Sequence, residues 1–145
     1  MDTTGSEKFD TITSQFYKNA DCCLLIYDIT SKQSFERIKT HYIKEIKDKC
    51  KNFIKVLLLG NKKDLEELRQ VSIEEGVKLA EENGFIFMES SCQNNYNVSD
   101  AFTTLIEMTN SELLRIGREK NIKLKIEKEK TLDKDNGQSS SSKCC

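Results

Sequence analysis

Residues Leu59 to Asp64 read Leu-Gly-Asn-Lys-Lys-Asp and close an apolar run with a polar tetrapeptide whose donors and acceptors fit guanine better than any other base. Guanine presents N1–H and its N2 amine side by side. A carboxylate at Asp64 accepts from both in charge-assisted bonds, whereas adenine offers no such donor pair. Asn61 is expected to tie neighbouring loops together through its amide, and Lys62 to lay its methylene stem along the base with its ammonium in water. A plain polar turn after a strand is the alternative for the same residues. The choice between them rests on what accompanies the tetrapeptide.

The chain opens on Asp2-Thr3-Thr4-Gly5-Ser6-Glu7, continues through Asn61-Lys62-Lys63-Asp64 to Glu89-Ser90-Ser91-Cys92-Gln93, and finishes on Cys144-Cys145. In this combination it resembles the Rab family of small GTPases, within the Ras superfamily, from that family's second switch to its C-terminus. Tyr17 to Thr30 likewise reads like the family's fourth strand and its approach, and the likeness runs from Asp2 to about Ile116.

The resemblance implies GTP or GDP with Mg2+ as ligand, with Asn61, Lys62, Lys63 and Asp64 reading the base. Ser91, Cys92 and Gln93 would support it, the main-chain N–H of Cys92 reaching the base oxygen. Gln93 stands where the family usually has Lys and loses a charge there. At the phosphate and magnesium end, Asp2, Thr3, Thr4, Gly5 and Ser6 match the segment that orients magnesium and senses the terminal phosphate. Ser6 falls where the family carries its water-orienting Gln; one short hydroxyl cannot accept from a water and also reach the phosphate. No intact catalytic residue is expected, and intrinsic hydrolysis is expected to be negligible.

A phosphate loop requires two glycines five residues apart followed by Lys and Ser or Thr, so that backbone amides wrap the phosphates. No two of the six glycines have that separation. The sequence is therefore expected to behave as an N-terminally truncated GTPase domain, with the family's first strands and first switch upstream of Met1, no intact metal site, and nucleotide binding weak or absent.

These residues are positioned by alternating elements. Cys22 to Ile29, Phe53 to Leu59 and Phe85 to Met88 are short apolar runs of the kind that form strands buried on both faces. Between them, Phe35, Ile38, Tyr42 and Ile46 recur at helical spacing, Ser72-Ile73-Glu74-Glu75 is a capping box, and Val98, Ala101, Phe102, Leu105, Ile106, Thr109 and Leu113 mark one face of a long helix. The order βαβαβα predicts an α/β fold with a parallel sheet, a partial three-layer GTPase-like domain over 1–117 whose ligands bind at the carboxyl ends of the strands. The strand over 22–29 is expected to have an open edge.

At 145 residues and 37% apolar content the chain suits one domain. Residues 1–117 carry 15 basic and 19 acidic side chains, and residues 118–145 carry 8 and 5. An acidic body argues against nucleic acid as a partner, since that needs many cations on one face. No Gly-x-Gly-x-x-Gly follows any strand, which excludes a dinucleotide-binding oxidoreductase. Four of the six cysteines occur as adjacent pairs and His41 stands alone, so neither a disulfide framework nor a zinc site is expected. The sequon at Asn97-Val98-Ser99 is read as accidental in a cytosolic chain.

Beyond Gly117 the periodicity fades, and 118–145 is expected to be a flexible solvated tail, with a short strand over Ile122, Leu124 and Ile126 as the alternative. Cys144-Cys145 after a polar spacer resembles the Rab double-cysteine ending that takes two geranylgeranyl groups. Paired lipids would hold the protein on the cytoplasmic face of a membrane. The resemblance thus implies vesicle traffic, with effectors and escort proteins as partners. A prenyl-tethered interaction module that binds no nucleotide, or a remnant without function, is the other reading.

Overall fold

The computed structural model describes residues 17–52 and 54–136, with side chains through Glu127. Within it, β1 (Cys22–Asp28), β2 (Lys55–Asn61) and β3 (Ile86–Glu89) form a sheet in the order β1-β2-β3 with every pairing parallel. Leu24 lies opposite Leu57, Asp28 opposite Asn61, and Gly60 opposite Glu89. The expected strands are thus present, each shifted by up to two residues; Phe53 lies outside the described residues. β2 is the central strand. Its Val56 to Leu59 are all buried, the pattern of a strand covered on both sides.

Strand alternation sends side chains to opposite faces. On one face Leu25 and Tyr27 of β1 and Val56 and Leu58 of β2 pack with Phe35, Ile38, Ile43, Ile46, Leu79 and Ala80 from the crossover helices. On the other, Leu57 and Leu59 pack with Ala101 and Leu105, and Cys22, Leu24, Ile86 and Met88 are partly covered around them. Among the described residues β1 is an edge strand, and its Ile26 is 54% exposed.

The first crossover combines α1 (Lys32–Arg37), a π-helical turn (Ile38–Tyr42) and α2 (Ile43–Lys49). Tyr42 shares the helical spacing of Phe35, Ile38 and Ile46, but Ile43 is the residue buried with those three, and Tyr42 is only partly covered. The cause is the π turn. Ile43 N–H donates to the Ile38 carbonyl five residues back, which advances the buried face by one position.

A 3₁₀ segment (Lys63–Leu68) follows β2, then α3 (Ile73–Asn83). Its capping box is formed in both directions: Glu75 N–H donates to Ser72 Oγ at 3.2 Å, and Ser72 N–H to Glu75 Oε2 at 3.0 Å. α3 ends at Gly84, whose φ of +68° favours glycine although a Cβ there would meet nothing.

α4 runs from Val98 to Asn136. Of the face expected to be apolar and packed, Ala101, Leu105 and Thr109 are buried, whereas Phe102, Ile106 and Leu113 are exposed. The Thr109 hydroxyl is satisfied by the Leu105 carbonyl at 2.6 Å. Residues 118–136 are helical, which excludes the short strand over Ile122, Leu124 and Ile126, and 118–127 are all exposed. Lys, Glu and Arg are good helix formers, and Arg115 pairs with both Glu112 and Glu119 at helical spacing. Backbone contacts divide the chain into two compact units, one ending at Thr109 and the other beginning at Asn110.

Candidate functional site

Three parallel strands bring Asp28, Asn61 and Glu89 to the same edge of the sheet, the edge at which parallel α/β sheets bind ligands. The chain leaving β2 must turn sharply. Lys62 does so with left-handed φ and ψ of 68° and 39°, which start the 3₁₀ segment at Lys63. The loops after β2 and β3 are then stitched together: Ser90 N–H donates to the Gly60 carbonyl at 2.8 Å, and Lys63 N–H to the Ser90 carbonyl at 3.0 Å. On the other flank Ile29 N–H donates to the Asn61 carbonyl at 3.1 Å.

Side chains tighten the same junction. Asn61 Oδ1 accepts from Ser90 Oγ at 3.4 Å and faces Cys92 Sγ at 3.7 Å. Asp64 Oδ1 accepts a short hydrogen bond from Ser91 Oγ, which also accepts from Asn94 N–H at 3.3 Å. Ser90 and Ser91 are fully buried. The backbone of Ser91 exchanges hydrogen bonds with Tyr96 at 3.0 and 2.9 Å and closes the turn that presents Cys92 and Gln93 to solvent. That turn uses positive φ at Asn95 and again at Asn97, a conformation Asn tolerates better than most residues. The structure therefore brings Asn61, Asp64, Ser91 and Cys92 together at the carboxyl ends of β2 and β3, with Gln93 exposed next in the chain.

The Lys62 ammonium is exposed, and it also meets a carboxylate. Its Nζ lies 2.6 Å from Asp28 Oδ2, while Asp28 Oδ1 accepts from the backbone and hydroxyl of Thr30 at 2.8 and 2.7 Å. Partial burial opposes the Asp28 charge, but Lys62 and Thr30 outweigh it and hold the carboxyl below its usual range; Asp28 in turn raises Lys62. Lys63 Nζ sits 3.8 Å from Glu89 and 5.0 Å from the centre of the Tyr96 ring.

Sequence reasoning missed the fastening at the end of β3. Arg69 donates to Glu89 Oε1 at 2.7 Å and Oε2 at 2.9 Å, with side-chain exposures of 14% and 6% for the pair. It also donates to the Val71 carbonyl at 3.0 Å and to Glu66 at 2.9 and 3.0 Å. Asn97 Nδ2 holds the Glu89 carbonyl at 3.0 Å. A carboxylate ending an apolar strand was the available signal, because a buried acid requires a partner. Nothing in the sequence named Arg69, twenty residues upstream. Asp2, Thr3, Thr4, Gly5 and Ser6 lie outside the described residues, as do Cys144 and Cys145.

Comparison with known proteins gives a match to the Ras family over residues 1–111. Among curated proteins the chain is 44% identical over 105 residues to Ras-related protein RABA5b of Arabidopsis thaliana, covering 72% of this chain and 48% of that protein. It is 44% identical over 104 residues to Ras-related protein Rab-13 of Canis lupus familiaris, covering 72% and 51%. Against GTP-binding protein ypt2 of Schizosaccharomyces pombe it is 45% identical over 104 residues, covering 72% and 52%. The chain spans about half the length of these relatives.

Proposed function

The chain belongs to the Ras family, and from that premise we propose that the loops at the carboxyl ends of β2 and β3 recognise guanine. Asp64 accepts from N1–H and the N2 amine, and the main-chain N–H of Cys92 donates to the base oxygen. Asn61 fixes the two loops against each other. The observation that supports this reading is the pair of bonds joining Asp64 to Ser91 and Lys63 to Ser90, which brings both base-reading segments to one place.

Affinity follows from the same inventory. Two charge-assisted bonds contribute about 1.5 to 3 kcal/mol each, and stacking about 1 to 3 kcal/mol. Association costs at least about 4 kcal/mol. Even at that lowest cost the balance favours binding by only about 0 to 5 kcal/mol, so this chain binds guanine nucleotides weakly or not at all, and it does not hydrolyse GTP, with Ser6 at the water-orienting position. Cys144 and Cys145 take geranylgeranyl groups and tether the chain to the cytoplasmic face of a membrane, where Rab-type effectors and escort proteins meet it in vesicle traffic. Among the described residues no helix is long and apolar enough to cross a membrane.

The test is a backbone chemical-shift titration of the 145-residue chain with GDP and, separately, ADP. GDP should shift the amides of Asn61 to Asp64 and Ser91 to Gln93, and ADP should leave them in place. Equal responses to the two would refute guanine recognition. The exposed Ile26 on the edge strand favours a second reading, an interaction module that pairs with another protein and binds no nucleotide. Silence of those amides toward both nucleotides would select it.

A further inference from the structure

The bonds between β1 and β2 fix which way each residue of β1 faces. Ile29 N–H donates to the Asn61 carbonyl and Lys55 N–H to the Asp21 carbonyl, so the odd-numbered residues of β1 spend their backbone groups on β2, and Cys22, Leu24, Ile26 and Asp28 aim theirs away from it. At Asp28 the outward side is closed: Ser34 Oγ accepts from its N–H at 3.0 Å and lies 3.2 Å from its carbonyl. From Cys22 to Ile26, among the described residues, it is open. Side-chain burial falls off toward the same edge. On the sheet face covered by α4, Leu57 and Leu59 of β2 are buried, Cys22 and Leu24 of β1 are only partly covered, and Ile26 is 54% exposed. From Cys22 to Tyr27 the strand carries no charge, proline or bulge, the devices with which natural edges resist pairing.

We propose that this edge pairs with the same edge of a second copy of the chain, β1 running antiparallel to its counterpart about a two-fold axis and joining the two three-stranded sheets into one. The pairing rests on the interaction-module reading and takes its partner to be another copy; it holds with or without guanine, which would sit at the ends of the strands and not along their edge. The open residues set the register. Cys22, Leu24 and Ile26 are centred on Leu24, so Leu24 lies opposite Leu24 of the second copy and Ile26 opposite its Cys22, and each open N–H meets an open carbonyl. Because the open set is symmetric about its own centre, the edge is its own complement. In that register Asp21 faces Tyr27 and Asp28 faces Ala20, so no two acids meet. Sliding by one residue toward the carboxyl end sets Asp21 against Asp28, and sliding by two calls on the Asp28 groups beside Ser34. Sliding the other way moves Ile26 past the start of the opposing strand.

The experiment is sedimentation equilibrium of the 145-residue chain in reducing buffer, from low to high micromolar concentration. The 16.7 kDa chain should approach twice that mass as concentration rises. Ile26→Lys places a charge at an exposed site, so it should keep the far-ultraviolet circular dichroism of the parent and stay monomeric at every concentration. Ile26→Cys tests the register under mild oxidation. The thiol at position 26 should form an intermolecular disulfide with Cys22 of the second copy, identified by mass spectrometry of the linked peptides, because residues facing each other at such a pair lie about 5.5 Å apart between Cα atoms, within disulfide reach. A chain that stays monomeric throughout, an Ile26→Lys protein that is folded and still dimeric, or a position-26 thiol linked mainly to a cysteine other than Cys22 would overturn the inference. If Ile26→Lys loses its fold, the parent's mass and the cross-link decide. A monomeric parent would leave standing both guanine recognition and an interaction module whose partner is a different protein.

Discussion

Breaking the Arg69–Glu89 pair should destabilise the domain at the end of β3, and the cost follows from its burial. In Arg69→Met the Glu89 carboxylate stays almost enclosed and loses both strands of its fork, keeping only Lys63 at 3.8 Å. Removing one partner of a buried pair costs about 3 to 5 kcal/mol. Because Lys63 remains in range, and because Met retains much of the Arg stem, the lower end applies, about 3 kcal/mol. With an m value of about 1.5 kcal/mol/M for a domain of this size, the urea midpoint should fall by about 2 M without a change in slope. The double variant Arg69→Met/Glu89→Leu removes the charge left behind and should recover most of that loss, since apolar replacement of a whole buried pair is close to neutral. Urea titrations followed by far-ultraviolet circular dichroism test both variants. A double variant no more stable than the single one would refute the reasoning, because the loss would then lie in packing or in the Val71 carbonyl bond rather than in an orphaned charge.

Other outcomes follow from local contacts. The Tyr27 hydroxyl is buried with no hydrogen-bond partner among the described groups, so Tyr27→Phe should leave the melting temperature unchanged or raise stability by about 1 kcal/mol; a loss of that size would reveal a partner. Gly76→Ala should destabilise despite the better helix propensity of Ala, by about 1 to 3 kcal/mol, because its Cβ would lie 2.5 Å from the Phe87 ring and 2.8 Å from the Tyr27 hydroxyl. A stabilised Gly76→Ala protein would show that Phe87 yields easily. Asp28 is held below its usual carboxyl range, so its contribution is complete above about pH 4 and is lost as pH falls through the folded value; Asp28→Asn should flatten that acid limb, and parallel curves for the two proteins would count against it. Burial, reinforced by Cys50 and Cys22, pushes the Cys23 thiol up to about 12, so mass-resolved alkylation near neutral pH should label exposed Cys92 well before Cys23. Equal rates at the two cysteines would mean that the sheet opens on the labelling timescale.

The strands were legible because each is an apolar run between helical patterns, unbroken as a parallel strand covered on both faces requires, although only β2 is buried in that way and Ile26 of β1 is exposed. The capping box at Ser72 was legible for a similar reason, since all of its bonds close within four residues. The π turn was not. Phe35, Ile38, Tyr42 and Ile46 fit an ordinary helix, and only packing against β1 selects Ile43 over Tyr42 for burial. On α4 the apolar residues announced a wide stripe, but the sheet has room for Ala101 and Leu105, and Phe102 and Ile106 are left in solvent.

The tetrapeptide proposed to read the base and the Ser-Ser-Cys turn could be named from residue types, because hydrogen-bonding capacity belongs to a side chain wherever it lies. Where each polar group spends that capacity is a property of neighbours distant in the chain. The pairing of Lys62 with Asp28 spans the ends of two adjacent strands, and that of Arg69 with Glu89 joins the loop after the 3₁₀ segment to the end of β3. Sequence alone therefore determined the α/β order and the chemistry available at the sheet edge. Tertiary structure decided which charges pair, because strand register and loop closure bring Lys62 to Asp28 and Arg69 to Glu89 from positions far apart in the chain.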